Sequence, residues 1–151
     1  MKELTTFDAI LDFAIEEEQK AVDFYSELAG QAASDEMREV FEEFAQEEVK
    51  HKTKLLEVKE TGIADMPPEN VADLKIADYV VNVKASPNMS YQEALVVAMN
   101  KEKAAFRLYT SLSERAEHAE LKELFAALVQ EESKHKLRFE VEYDDYVLRE
   151  N

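Results

Sequence analysis

The chain has 151 residues, 34% of them charged, with a formal net charge of -16 and no cysteine. A chain of this length suits one domain that buries roughly two thirds of the surface exposed by its unfolded form. Only two glycines and three prolines occur among many helix formers, which favours long helices and argues against an all-β fold. Because no cluster of Lys and Arg interrupts the acidic balance, we expect no nucleic-acid or membrane partner and a preference for cations.

The longest wholly apolar run, Ala94 to Met99, is far too short to span a bilayer. The first ten residues contain no apolar stretch of the length found in signal peptides. We therefore expect a cytoplasmic protein, although a chain without cysteine offers no redox clue to its compartment.

Apolar residues that recur every three or four positions predict four long helices, with approximate limits Phe7 to Ala29, Asp35 to Glu60, Tyr91 to Arg115 and Ala119 to Leu148. Thr5 is the predicted N-cap of the first helix and Gly30 its end. Ser34 is expected to cap the second helix, and the stretch from Ser90 to Glu93 reads as a capping box for the third. The break before the fourth helix lacks Gly and Pro, so its position depends on the internal repeat described below.

The central segment, about residues 61–89, holds all three prolines and one of the two glycines. It joins a first helical hairpin, about residues 6–60, to a second, about residues 90–148, and is long enough to traverse a bundle of this height. The predicted fold is therefore all-α, a four-helix bundle with one long crossover that contains a short helix or strand near Val71 to Val83. Such a crossover also allows one hairpin to swap into a partner subunit, and the sequence leaves swapped and unswapped forms open.

The two hairpins match at a constant spacing of 84 residues, which pairs Glu18 with Glu102, Tyr25 with Tyr109, Glu48 with Glu132 and His51 with His135. These polar residues fall on the apolar stripes of their helices, so they are predicted to lie in the core. Four buried carboxylates would be prohibitively unfavourable if all were ionised without counter-charge. Two divalent metal ions would balance four Glu charges, with neutral His nitrogens as further ligands.

The spacing Glu-x-x-His places an oxygen and a nitrogen ligand on one helix face, and it occurs twice, in "EEVKH" and "EESKH". One Glu from each of two helices, with Glu-x-x-His from each of the other two, is the pattern of dimetal carboxylate bundles. The predicted metal ligands are the six residues Glu18, Glu48, His51, Glu102, Glu132 and His135.

The motifs "EEEQKAVDFY" with "EEVKH", and "NKEKAAFRLY" with "EESKH", resemble the rubrerythrin branch of the ferritin-like diiron-carboxylate superfamily. The resemblance implies a ferritin-like bundle that binds two non-haem irons and reacts with hydrogen peroxide or dioxygen. It implies that Glu18 and Glu102 are terminal or chelating ligands. Glu48 and Glu132 would be bridging ligands, and His51 and His135 terminal nitrogen ligands.

The same resemblance implies that the acid before each ligand Glu holds the His of the other hairpin, which pairs Glu47 with His135 and Glu131 with His51. Tyr25 and Tyr109 lie two helical turns from their own ligand Glu, about 10.5 Å along the axis, and cannot bond to it. Each is expected to reach a ligand on another helix, as the corresponding family tyrosines do. Service as electron donors to the centre is the alternative role.

Two departures from the family bear on function. Full-length rubrerythrins carry a second iron site built from Cys, so this chain would need a separate electron-donor protein. Peroxide-reducing members also have a further Glu where this chain has Ala105, which leaves a centre closer to a ferroxidase of bacterioferritin type. A homodimer is the expected assembly. The alternatives are an iron-storage module in a larger shell and a bundle that holds zinc or manganese.

Overall fold

A computed structural model describes residues 6–61, 66–71, 73–81 and 83–150. The helices are α1 (Phe7–Gln31), α2 (Asp35–Thr61), α3 (Pro68–Val71), α4 (Tyr91–Arg115) and α5 (Ala119–Glu150), with a 3-10 turn at Ile76–Tyr79. No described residue lies in a strand, so the predicted all-α, ferritin-like bundle is confirmed. The four long helices agree with the predicted limits to within two residues.

The ends of α1 differ from the prediction at both caps. Thr5 lies outside the described residues, and the N-cap is Thr6, whose hydroxyl accepts from the amide of Ala9 at 3.1 Å. The prediction that Gly30 ends the helix is wrong, because α1 continues through it. The chain leaves the helix at Ala32, which has extended backbone angles of φ -60° and ψ 136°, so no left-handed glycine is needed.

The other predicted caps are present. The Ser34 hydroxyl accepts from the amide of Met37 at 3.2 Å. The Ser90 hydroxyl accepts from the Glu93 amide at 3.1 Å, and the Glu93 carboxylate accepts from the Ser90 amide at 3.4 Å, which completes the capping box. At the predicted break, exposed His118 offers its carbonyl to the amide of Lys122 and so begins α5.

The crossover packs along α4. The Tyr79 hydroxyl lies 3.1 Å from that of Ser111, and the Lys101 ammonium donates to the carbonyl of Val81 at 3.2 Å. Val71 and Leu74, which belong to the crossover, are buried. Among the described residues of the interval predicted to hold a short helix or strand, Val71 ends α3 and Ile76–Tyr79 form the 3-10 turn.

The bundle is built from two close-packed hairpins, α1 with α2 and α4 with α5. Apolar side chains form two separate clusters, one at each end of the bundle. One cluster includes Phe7, Leu11, Leu55, Leu112 and Phe125, and the other includes Phe24, Phe41, Phe44, Leu95 and Phe139. Polar residues in the middle of the four helices therefore lie between two apolar clusters.

Candidate metal centre

The structure brings all six predicted ligands together in the layer between the two apolar clusters. Each is almost completely buried, with no more than 7% of its surface exposed, and each long helix contributes. The residues are Glu18 from α1, Glu48 and His51 from α2, Glu102 from α4, and Glu132 and His135 from α5. Their burial follows from the helical period, which places them on the same stripes as the apolar core.

The six residues form two overlapping sets, and within each set one ligand atom per residue lies within 4.8 Å of the others. The first set is Glu18, Glu48, His51 and Glu132, and the second is Glu48, Glu102, Glu132 and His135. Glu48 and Glu132 belong to both sets. Two neighbouring cation positions that share two carboxylates follow from this arrangement.

Both imidazoles turn Nδ1 toward the carboxylates. His51 Nδ1 lies 2.7 Å from Glu132 Oε1 and 3.9 Å from Glu18 Oε2. His135 Nδ1 lies 3.1 Å from Glu48 Oε1 and 3.6 Å from Glu102 Oε2. The two rings are nearly parallel, with centroids 5.5 Å apart and an interplanar angle of 16°. Nδ1 is therefore the nitrogen that each His presents to the centre.

Several polar atoms in this cluster are buried without a hydrogen-bond partner among the described residues. They are Glu18 Oε2, Glu102 Oε2, both carboxylate oxygens of Glu132 and both ring nitrogens of His51. The short approach of His51 Nδ1 to Glu132 does not have the alignment of a hydrogen bond. Buried polar atoms are normally paired, so an unpaired group of oxygens and nitrogens around one point fits a set of metal ligands.

Without a bound metal ion, burial and mutual repulsion shift the pKa values of the four ligand carboxylates. Burial, followed by repulsion from neighbouring carboxylates, raises the pKa of Glu18 and Glu132 well above the usual range, and the pKa of Glu48 is raised for the same reasons. Burial also acts to raise the pKa of Glu102, but the close approach of Glu132 and His135 and the hydrogen bond from Tyr25 lower it overall. Without a counter-cation, the cluster therefore retains protons that a divalent ion would displace.

The pKa values of the two ligand histidines shift in opposite directions. Burial lowers the pKa of His51. Burial acts in the same sense on His135, but its contacts with Glu102 and Glu48 outweigh burial and raise the pKa to about 10.

Tyr25 and Tyr109 reach across the bundle in opposite directions. The Tyr25 hydroxyl donates to Glu102 Oε1 at 2.7 Å, and the Tyr109 hydroxyl donates to Glu18 Oε1 at 2.5 Å. Each bond links α1 to α4, so each tyrosine reaches a ligand on another helix, as the resemblance implied. Burial, followed by the charge of the accepting Glu, raises the pKa of both phenols well above 10.0, so both remain protonated donors.

The predicted contacts of the outer acids are not formed. Among the described residues no hydrogen bond joins Glu47 to His135, and His51 has no partner on Nε2, which rules out the expected bond from Glu131. Glu47 and Glu131 instead lie near each other and near His135, with ligand atoms within 4.8 Å. Both carboxylates are partly exposed, and Glu47 pairs with Lys50 at 3.3 Å, so solvent and a local Lys compete for them.

A small cavity of about 40 Å³ adjoins the cluster on the side of α1 and α4. Its polar wall includes Glu18 and Glu102, and its apolar wall includes Ala21 and Ala105. Tyr79, Val81 and Lys101 also line the cavity, and the sequence motifs did not single out any of these three. The sequence feature that could have identified Lys101 is a mismatch in the repeat, since Lys101 occupies the position that Glu17 has in the first hairpin.

The bundle and its carboxylate–histidine cluster define a ferritin-like protein with a candidate dimetal centre. The family model for rubrerythrin matches residues 9–143, so the chain belongs to the rubrerythrin family, a ferritin-like diiron family. The solved structure of a hypothetical protein, Pfu-1136390-001 from Pyrococcus furiosus, has the same fold. It is 22% identical, with a TM-score of 0.71, over 91% of this chain and 87% of that chain. No curated protein is significantly similar in sequence.

Within the described part of the chain, every helix is too short or too polar to serve as a membrane span.

Proposed function

We propose that this protein is a diiron oxidoreductase that reduces hydrogen peroxide or dioxygen. The observation that supports it most directly is the pair of overlapping ligand sets that share Glu48 and Glu132. Four carboxylates and two imidazoles suit two divalent ions of the iron, manganese or zinc type, and the family favours iron. Bound ferrous ions would supply one electron each, which with two protons converts peroxide to two waters or dioxygen to peroxide.

The protein residues have distinct parts in this proposal. Glu18 and His51 would hold one ion, Glu102 and His135 the other, and Glu48 and Glu132 both. The hydroxyls of Tyr25 and Tyr109 fix the orientation of Glu102 and Glu18, so these tyrosines are positioning residues. The apolar clusters above and below exclude water from the layer.

A ferroxidase is the second candidate, and Ala105 is the observation that favours it. In this reading ferrous iron is itself the substrate and is passed onward after oxidation. In the peroxidase reading the iron stays, and a separate electron-donor protein reduces it again, because the chain has no Cys for an internal electron-transfer site. A cytoplasmic homodimer is part of the same proposal, and an iron-storage shell would be distinguished from it by particle mass in solution.

The first test is an anaerobic ferrous titration of the metal-free protein, followed by separate mixing with peroxide and with dioxygen. About two irons per chain and a faster reaction with peroxide are expected for a peroxidase. Faster reaction with dioxygen would favour the ferroxidase. Failure to bind iron near this ratio, with tight binding of zinc or manganese instead, would overturn the diiron proposal.

A further inference from the structure

Aromatic rings connect the carboxylate–histidine cluster to the surface at one end of the bundle. The Tyr25 hydroxyl donates to Glu102, and the Tyr25 ring stacks on Phe41 with centroids 6.5 Å apart and an interplanar angle of 11°. Phe41 contacts Tyr91 edge to face at 5.9 Å, and Tyr91 contacts Tyr146 at 5.1 Å. These contacts form a continuous series of rings from a ligand carboxylate to the outside of the bundle.

The outer end of this series reaches solvent. Tyr91 and Tyr146 are partly buried and line a surface pocket of about 200 Å³. The Tyr91 hydroxyl donates to Glu142 Oε1 at 2.8 Å, and Arg149 lies 3.7 Å from the same oxygen. A phenol that loses an electron becomes strongly acidic, so its oxidation at neutral pH needs a positioned acceptor for the proton. Glu142 is in hydrogen-bond contact with Tyr91 and provides that acceptor.

The repeat builds the same three-ring arrangement at the other end of the bundle, but without the outer phenol. The Tyr109 ring stacks on Phe125 at 6.2 Å and 16°, and Phe125 contacts Phe7 at 6.2 Å and 90°. Phe7 is the repeat partner of Tyr91 and is much harder to oxidise, because it has no phenolic proton to lose. Tyr79 also packs at this end, bonded to a serine, but among the described residues its ring contacts neither Tyr109 nor Phe125.

We propose that Tyr25, Phe41 and Tyr91 form an electron path through which the metal-binding layer draws single electrons from the surface. Phe41 is not oxidised and fills the space between the two phenols. Tyr25 loses an electron inward, and its proton shifts along the hydrogen bond to Glu102. Tyr91 then gives an electron to Tyr25, which recovers its proton, and the Tyr91 proton passes to Glu142.

The use of this path rests on the proposed function. One hydrogen peroxide takes two electrons and two protons to give two waters, whereas one electron alone splits it into a hydroxyl radical and hydroxide. A half-oxidised centre supplies one electron from its ferrous ion. The path supplies the second from Tyr91, solvent supplies both protons, and a neutral phenoxyl radical remains at Tyr91. A one-electron reductant of the thiol or ascorbate class restores Tyr91 from the surface pocket, and Glu142 returns the proton.

The path is measurable in the full-length chain without metal. A ruthenium(III) tris-bipyridine complex, generated in solution by a laser flash and a quencher, oxidises accessible phenols. The matched probes are two chains in which either Tyr25 or Tyr109 is replaced by 3-aminotyrosine, which is more easily oxidised than tyrosine and therefore collects the radical. Tyr25 is fully buried and Tyr109 is 1% exposed, so the oxidant reaches neither directly.

Electronic coupling between two rings is the same in both directions, so a radical formed at the surface should travel inward along the path. We expect the EPR signal of the aminotyrosine radical at position 25 and its loss at position 109. In the position-25 chain, Tyr91→Phe should remove the signal. Tyr143→Phe, which removes another partly buried phenol of α5 that lies outside the ring series, is the matched control and should keep it.

Glu142→Gln keeps a hydrogen-bond acceptor for Tyr91 but removes the base, and should delay the radical at position 25. Melting temperatures equal to that of the parent chain establish that each variant folds. Equal signals at positions 25 and 109, no signal at either, or a signal at position 25 that survives Tyr91→Phe would each overturn the path. An undelayed signal in Glu142→Gln would overturn the assignment of Glu142 as the proton acceptor.

A second measurement connects the path to iron. Chains half-loaded with ferrous ions and mixed anaerobically with hydrogen peroxide should give a tyrosyl EPR signal that is lost in Tyr91→Phe and kept in Tyr143→Phe. A chain that binds no iron would remove the proposed function but leave the photochemical result intact. A chain that binds iron and reduces peroxide, but forms no radical at position 25 after the flash, would remove the path alone.

Discussion

The two hairpins present the same residues to the centre but differ one position before the ligand Glu of their first helices. Glu17 on α1 pairs with Lys20 on its own helix at 3.2 Å. The equivalent residue on α4, Lys101, leaves its helix and bonds to Val81 of the crossover. The crossover is the part of the fold that the repeat does not duplicate. The comparison indicates that the repeat preserved the inward-facing groups, while the neighbouring position adapted to a chain segment that passes only one side.

The largest expected effect comes from removing a shared carboxylate. Glu132→Ala, or its repeat partner Glu48→Ala, should lower the affinity for both ions, because each residue belongs to both ligand sets. The loss should exceed the roughly 10- to 100-fold cost of losing an outer-sphere partner. Anaerobic metal titration measures it. Equal losses in the two variants would support equivalent hairpins, and a similar loss in exposed His118→Ala would contradict the assignment.

The tyrosines give a smaller, matched pair of effects. Tyr25→Phe and Tyr109→Phe should each lower metal affinity by about tenfold, because each removes one hydrogen bond that orients a ligand Glu. Tyr91→Phe is the control, since its hydroxyl bonds to Glu142 at 2.8 Å, away from the cluster. A loss in only one of the two tyrosine variants would show that the hairpins are not equivalent at the centre.

In the metal-free protein, the two ligand histidines should affect the pH dependence of stability differently, although they occupy equivalent positions in the two hairpins. Above pH 6.5 an unfolded His is neutral, whereas folded His135 keeps its proton until about pH 10. The folded state therefore binds more protons, and the free energy of unfolding should fall as pH rises from 7 to 8.5, by about 1.4 kcal/mol per unit for each extra proton. The raised pKa values of Glu18 and Glu132 act in the same sense as pH rises above the usual range of a Glu carboxyl.

Denaturant unfolding at several pH values checks this sign. His135→Ala should reduce the change in the free energy of unfolding between pH 7 and 8.5. His51→Ala should not, because the lowered pKa of His51 affects stability only below 6.5. A metal-free protein that becomes more stable over the same range would contradict the assignment of extra protons to the cluster.

The smallest effect concerns Gly30, whose repeat partner in the second hairpin is Glu114. A Cβ at Gly30 would meet nothing within 4 Å, and the residue lies inside α1. Gly30→Ala should stabilise the protein by about 0.5–1 kcal/mol, because alanine loses less backbone entropy in a helix. Thermal unfolding of the metal-loaded protein measures the shift.

The sequence predicted the features that local chemistry determines. The caps at Ser34 and Ser90 need only residues three positions apart, and the burial of Glu18 and Glu132 follows from helical spacing. The end of α1 was missed because Gly30 permits a stop without requiring one. Lys101 and the cavity were missed because they depend on the path of the crossover, which has no repeat. The predicted contacts of Glu47 with His135 and of Glu131 with His51 were wrong because partly exposed carboxylates have other partners available.

The separation of the core into two apolar clusters has a consequence for cooperativity. The ends of the bundle are joined through a middle layer that, without metal, contains unpaired buried groups, and burying such groups costs free energy. The two ends can then open separately, and amide hydrogen exchange would follow a different free energy in each. Metal binding at the middle layer would couple them, so that loading the centre also converts two folding units into one.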